Sequence, residues 1–259
     1  MLGHPIAHSL SPVLHRAAYV ELGLAWTYDA VDVSEGALAE YVATRGPEWV
    51  GLSLTMPLKY AVLPLLDETD ATVDLVGAAN TLVWRDGRRL GANTDVSGLV
   101  SALREAGVEV PARAGVLGAG ATAASALVAL AELGCSEVVL AARRPEAATG
   151  LVELADRLGL ELAVVGWAAA DSALHAPLVV STVPAGSPDG LAGGVPGGPG
   201  VLFDVVYAPW PTPLAASWMR AGGRVLSGLD LLVHQAVDQV RLMTGRDVDV
   251  SVLRRALRA

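Results

Sequence analysis

The six residues Gly118-Ala119-Gly120-Ala121-Thr122-Ala123 constrain this chain more than any other stretch. They follow the apolar run Ala114-Gly115-Val116-Leu117 and open an Ala-rich segment that reaches Glu132. The glycines interrupt the uncharged run from Ala114 to Ala131, which therefore reads as strand, tight turn and helix rather than as a membrane span. The same alternation follows. "EVVLAA" (137–142) reads as a strand, the region near Pro145 to Leu158 as a helix, and "APLVVST" (176–182), "GVLFDVVYAP" (200–209) and "RVLSG" (224–228) as further strands. Strands alternating with helices predict a parallel sheet joined by right-handed crossovers. Residues 184–200, rich in Gly and Pro, read as a disordered surface loop.

A G-x-G-x-x-A turn between a strand and a helix permits close backbone approach, so that a pyrophosphate can sit on the helix N-terminus. With 28 glycines in the chain the pattern alone is weak, and an ordinary tight turn is its plain alternative. The following strand ends at Arg143-Arg144, with no acidic residue there to accept from a ribose 2′-hydroxyl. Two guanidinium groups suit a 2′-phosphate instead, which favours NADP(H) over NAD; a solvated arginine pair is the other reading.

The first hundred residues mix patterns differently. "SPVLHRAAYVELG" has helical spacing, with Ser11 placed to cap it and Pro12 at the first helical position. "WTYDAVDV" alternates like a strand, and "WVGLSLT" reads as another that ends at Thr55. "PLKYAVLPLL" starts a helix with Pro57 in its first turn. "AANTLVW" and "RRLGANTD" read as two strands joined by a hairpin turn at Asp86-Gly87. "VSGLVSALREAG" is an amphipathic bridging helix, and "LDLLVHQAVDQVRLMTG" a terminal helix stopped by Gly245.

The formal charge of −9 argues against a broad nucleic-acid or anionic-membrane surface. A single cysteine, Cys135, excludes an internal disulfide and reads as a buried structural thiol. The first residues suit neither a signal nor a transit peptide, which points to a cytoplasmic protein. Ile, Phe and Lys occur once each and Asn twice, while Arg occurs 17 times, as a bias toward GC-rich codons would produce. The rare Lys59, Asn80 and Asn93 all lie within short polar phrases of the first hundred residues.

Those phrases are "GHPIAHSLSPVLH" (3–15), "SLTMPLKY" (53–60), "GAANTL" (77–82) and "GANTDVSG" (91–98). With the Gly-rich turn, "DVVYAPWPTPL" (204–214) and "SGLDLLVHQA" (227–236), they resemble shikimate dehydrogenase in order and nearly end to end. The resemblance implies an α/β fold of two domains. Residues 1–97, with 229–259 packing back on them, would bind the substrate; residues 98–228 would form a doubly wound Rossmann-type NADP-binding domain.

It further implies reversible NADPH-dependent reduction of 3-dehydroshikimate to shikimate. Lys59 matches the catalytic lysine and Asp95 the aspartate beside it. A carbonyl receiving hydride needs a proton donor at its oxygen, and a lysine ammonium can give and retake a proton where an arginine effectively cannot. The plain alternatives are a solvated lysine and a helix-cap aspartate. Ser9 and Ser11 match carboxylate-binding hydroxyls; two residues apart in an extended segment, they would point the same way. Tyr207 matches a substrate contact, and Thr55, Asn80 and Gln235 match positions that bind ring hydroxyls. Cofactor contacts are implied for Gly118, Ala119, Gly120, Ala121, Thr122, Arg143, Arg144, Thr182, Gly228 and Leu231. Asn93 reads as a structural turn residue. His4, His8 and His15 show no metal-ligand spacing and read as packing or local hydrogen-bonding residues.

The chain departs from the family pattern in places. Ser53 stands where Asn is usual, Ala121 and Thr122 add bulk to the phosphate turn, and Leu231 replaces a Met near the nicotinamide. Only Met1 and Leu2 precede Gly3, where the family has a full first strand, so a start some residues upstream is expected. An NAD-dependent quinate/shikimate dehydrogenase and a non-catalytic NADP- or metabolite-sensing module are the competing readings. Monomer and homodimer are both compatible with the sequence.

Overall fold

The chain falls into two units, residues 1–98 with residues 232 onward, and residues 99–231; the computed structural model describes residues 1–258. The unit boundaries fall inside two helices, Asp95–Glu105 and Gly228–Thr244. Among the described residues no helix is long and apolar enough to cross a membrane.

The first unit begins with β1 (Leu2–Gly3), α1 (Ser11–Glu21), β2 (Val31–Asp32), α2 (Glu35–Ala43), β3 (Gly51–Ser53) and α3 (Leu58–Ala61). It continues with β4 (Glu68–Thr69), α4 (Ala71–Val76), β5 (Thr81–Arg85), β6 (Arg88–Ala92) and α5 (Asp95–Glu105). Strands β3-β5-β6-β4 form one sheet, with β3/β5 and β5/β6 antiparallel and β4 parallel to β6. The β5–β6 hairpin turns at Asp86 and Gly87, as predicted. Both residues have positive φ (52° and 76°), the combination that matches hairpin twist. Leu2, Leu38, Leu52, Leu54, Leu58 and Leu82 form the buried core.

Four local expectations need correction here. Ser11 is the first helical residue of α1 rather than its cap; Leu10 precedes it with helical dihedrals, so Ser9 and Ser11 do not lie on an extended segment. The helix has no side-chain cap; the Ser9 hydroxyl, one residue before the cap position, accepts from the Ser11 N–H at 3.3 Å. Pro57 sits at the cap of α3, which lasts one turn before a 3₁₀ turn at Leu63–Leu65; Pro64 cannot donate into a longer helix. "WTYDAVDV" contributes only the two residues of β2 to a sheet.

The second unit continues with β7 (Arg113–Leu117), α6 (Ala121–Glu132), β8 (Glu137–Ala142), α7 (Thr149–Leu158), β9 (Glu161–Gly166) and α8 (Asp171–Leu174). There follow β10 (Leu178–Ser181), β11 (Val201–Asp204), α9 (Pro213–Arg220), β12 (Arg224–Ser227) and the start of α10 (Gly228–Thr244). Its sheet is parallel throughout, in the order β9-β8-β7-β10-β11-β12. Numbered within the unit this is 3-2-1-4-5-6, the doubly wound order whose direction reverses between β7 and β10. Edge strand β9 was not anticipated; its residues are half-buried or exposed, although Leu162 to Val165 are apolar. The Gly/Pro-rich segment 184–200 is ordered: it holds a 3₁₀ turn, Asp189–Gly194, and packs Leu191 and Val195 against the core around Leu174, Leu202 and Trp218.

Helix α10 ends at Gly245 (φ 68°), as predicted, but is not the last element. Asp249 caps α11 (Val250–Ala256), which packs against α1 in the first unit.

Candidate active site

In the first unit the phrases at 53–60, 77–82 and 91–98 converge on one ion pair. Lys59 stands in the first turn of α3, where β3 hands the chain over through Thr55 and Pro57. Asp95 opens α5 just after β6, its N–H capped by Asn93 Oδ1 at 2.9 Å. The Lys59 ammonium donates to Asp95 Oδ2 at 2.5 Å, and the two side chains are only 12% and 7% exposed. The second carboxylate oxygen, Asp95 Oδ1, accepts from Asn80 Nδ2 at 2.9 Å.

Asn80 is fixed in turn. Its Oδ1 accepts from the Thr81 hydroxyl at 2.8 Å and from the Thr94 N–H at 3.0 Å, and its Nδ2 also donates to Thr94 Oγ1 at 2.9 Å. Asn93 has the structural role its sequence context suggests, donating to the Ala78 carbonyl at 2.8 Å. Thr55 is half-buried at the end of β3, its N–H bonded to the Leu2 carbonyl at 2.9 Å. Ser11 is fully buried beside the Tyr28 phenol. Gln235 is buried and bonds back to its own helix, Nε2 donating to the Leu232 carbonyl at 2.8 Å.

Two residues central to this unit, Gln239 and Tyr28, were not anticipated, and His15 has the packing and local hydrogen-bonding role expected of it. Gln239, one turn after Gln235, accepts from Ser53 Oγ (2.8 Å), lies with Oε1 3.2 Å from His15 Nε2, and donates to Thr81 Oγ1 (3.0 Å) and the Asn80 carbonyl (3.2 Å). Tyr28 donates to Ser53 Oγ at 2.6 Å, and its ring stacks on His15 with centroids 4.0 Å apart. Burial holds His15 neutral, its pKa lowered to about 3, and pushes the Tyr28 phenol well above its usual range. The spacing of Gln239 from Gln235 on one helix face was the available signal. His4 lies apart, paired to Asp32 at 2.6 Å.

The second unit presents a dinucleotide turn. Gly118 follows β7 with φ 108°, and a Cβ there would meet Thr182 Oγ1 at 2.5 Å, so only glycine fits. Thr182, just past β10, bonds through both its N–H and its hydroxyl to the Leu117 carbonyl, each at 2.8 Å, which pins the two strand ends together at the reversal point of the sheet. Ala119 and Gly120 lead into α6, with Ala121 and Thr122 in its first turn; a Cβ on Gly120 would meet nothing within 4 Å. Open space before the N-terminus of this helix leaves room for a phosphate beside its first backbone N–H groups.

Arg143 and Arg144 follow β8 and are exposed, their side chains without a hydrogen bond or ion pair among the described residues. These features fit an NADP pyrophosphate and 2′-phosphate. Gly228 is held by packing: a Cβ would lie 2.0 Å from the Val205 carbonyl oxygen. Leu231 is buried, and Tyr207 is half-buried after β11.

The chain is similar to known proteins along its whole length. Residues 1–82 match the family model of the shikimate dehydrogenase substrate binding domain, and residues 228–258 that of the shikimate 5'-dehydrogenase C-terminal domain. A shikimate dehydrogenase (NADP(+)) of Moorella thermoacetica is 41% identical over 275 aligned positions, covering 100% of this chain and 91% of that protein. The crystal structure of Mycobacterium tuberculosis shikimate dehydrogenase superposes with a TM-score of 0.90 at 44% identity, covering 99% of this chain and 97% of that one. The Thermus thermophilus enzyme in complex with NADP(H) and shikimate superposes with a TM-score of 0.86 at 34% identity, over 99% and 97% of the two chains.

Proposed function

The chain belongs to the shikimate dehydrogenase family, and from that premise we propose that it interconverts 3-dehydroshikimate and shikimate with NADP(H). The observation that carries the reading is the mostly buried Lys59–Asp95 pair, set among hydroxyl- and amide-bearing side chains.

Bound NADPH supplies a hydride to the substrate's carbonyl carbon. The chain supplies everything else. The Lys59 Nζ delivers a proton to the carbonyl oxygen as it becomes a hydroxyl, and takes it back in the oxidative direction. Asp95 holds the ammonium at 2.5 Å and orients it. Ser9 and Ser11 bind the substrate carboxylate. Thr55, Asn80 and Gln235 meet ring hydroxyls, with Tyr207 as a further substrate contact. In the second unit the 118–122 turn and Thr182 would hold the pyrophosphate end of the cofactor, Leu231 would contact the nicotinamide, and Arg143 and Arg144 would bind the 2′-phosphate. The absence of an acidic residue after β8 disfavours NAD.

The test is initial-rate measurement of shikimate oxidation with NADP⁺ and with NAD⁺, and the same with quinate. A strong preference for shikimate with NADP⁺ supports the proposal. Comparable rates with quinate and NAD⁺ would move the enzyme to the quinate/shikimate class, and no activity with any pair would favour a sensing module.

A further inference from the structure

A single file of buried hydrogen bonds leads from Tyr28 to the carboxylate of Asp95, and every member donates in the same direction. Tyr28 donates to Ser53 Oγ (2.6 Å), and Ser53 to Gln239 Oε1 (2.8 Å). The other end of that amide, Gln239 Nε2, donates to Thr81 Oγ1 (3.0 Å), Thr81 to Asn80 Oδ1 (2.8 Å), and Asn80 Nδ2 to Asp95 Oδ1 (2.9 Å). Ser53, Thr81, Asn80, Asp95 and Gln239 are each no more than 5% exposed.

The order of donors is forced by chemistry. A hydroxyl has one proton, so a Thr81 oxygen that accepts from Gln239 Nε2 turns its own proton toward Asn80 Oδ1. The Asn80 backbone carbonyl can only accept, so it fixes Nε2 on its side of the Gln239 amide; a flipped amide would set oxygen against oxygen there. His15 Nε2 lies 3.2 Å from Gln239 Oε1 and donates to it in the tautomer protonated at Nε2. Asn80 is thereby held with its NH₂ toward Asp95, and hydrogen bonds in such a file polarise one another.

We infer that Gln239 and Thr81 are positioning residues for the Lys59–Asp95 pair: the C-terminal segment, through one amide, sets the hydrogen bonding of the carboxylate that holds the proton-transferring ammonium. The link between this file and turnover rests on the activity proposed above. Neither residue touches the ion pair; both act through Asn80.

Lys59 is the only lysine in the chain, so an amine-selective reagent followed by peptide mass spectrometry reads its side chain directly, whatever the activity. Thr81→Val removes the hydroxyl at nearly constant volume, and Thr81→Ser restores it. With shikimate and NADP⁺, Thr81→Val is expected to lower kcat by about three- to tenfold, the rate equivalent of one neutral hydrogen bond, with KM for NADP⁺ unchanged. Lys59 labelling in the folded variant should rise several-fold as the carboxylate loosens. Thr81→Ser should return both toward wild type, and Gln239→Met, if it folds, should match Thr81→Val. A folded Thr81→Val protein whose Lys59 is labelled at the wild-type rate overturns the inference, whatever happens to kcat. Wild-type protein that does not turn over shikimate would instead overturn the activity, leaving the labelling comparison to decide the positioning role.

Discussion

Lys59 Nζ lies 2.5 Å from Asp95 Oδ2, and the other oxygen of that carboxylate is held by Asn80 at 2.9 Å. The charge is thus neutralised by one partner and its orientation set by the other. Removing one member of such a buried pair leaves an uncompensated charge, typically at a cost of about 3–5 kcal/mol. Lys59→Met should therefore reduce turnover by about 10²–10⁴-fold, the usual worth of a positioned acid–base group, with much less effect on shikimate affinity. Lys59→Arg keeps the charge and should lose a similar factor, because guanidinium does not release its proton. Steady-state kinetics alongside equilibrium binding of shikimate check both. Near-normal turnover in either variant would remove Lys59 from proton transfer.

Arg143 and Arg144 leave β8 exposed and unengaged. A charge-assisted contact to a phosphate is worth about 1.5–3 kcal/mol, so replacing both by Ala should raise KM for NADP⁺ by about tenfold or more and leave KM for NAD⁺ little changed. Stability should not move, since the two side chains make no hydrogen bond or ion pair among the described residues. Equal losses with both cofactors would place the 2′-phosphate elsewhere.

His15 gives the fold a pH dependence of predictable sign. Burial lowers its pKa from 6.5 to about 3, so above pH 6.5 the imidazole is neutral whether the chain is folded or not. Below that the unfolded chain takes up a proton that the folded one refuses. Stability is lost as pH falls from about 6.5 toward 3, at up to about 1.4 kcal/mol per unit. Urea unfolding at pH 7 and pH 5 should show wild type losing up to about 2 kcal/mol more over that interval than His15→Gln. Identical losses would mean that His15 is protonated in the folded state.

Much of this architecture is legible in the sequence, for reasons that differ by unit. In the second, strand-helix alternation is carried by long apolar runs, and Gly118 is irreplaceable because its φ of 108° and the nearby Thr182 leave no room for a side chain. In the first, Asp86-Gly87 announces its hairpin through local turn chemistry. Edge strand β9 and the packing of residues 184–200 are illegible because both depend on what the rest of the fold lays against them. The polar residues show the same division. Lys59, Asn80 and Asp95 stand in short distinctive phrases, whereas Gln239 sits in an ordinary amphipathic helix. Its importance arises only when Ser53 and Thr81, 186 and 158 positions away, are brought to it.

Gly118 and Gly120 separate folding from cofactor binding at a single turn. At Gly118 a Cβ would meet Thr182 Oγ1 at 2.5 Å and the backbone is left-handed, so Gly118→Ala should cost about 1–3 kcal/mol of stability and weaken NADP⁺ binding. At Gly120 the φ is −98° and a Cβ would meet nothing within 4 Å, so the fold itself does not require glycine. What requires it is the phosphate that the open space before α6 would receive. Gly120→Ala should therefore unfold at the wild-type temperature, or slightly above it from reduced freedom in the unfolded chain, while NADP⁺ affinity falls at least several-fold. Calorimetric unfolding and titration with NADP⁺ measure the two effects separately. Unchanged affinity in Gly120→Ala would show that the pyrophosphate does not approach this turn.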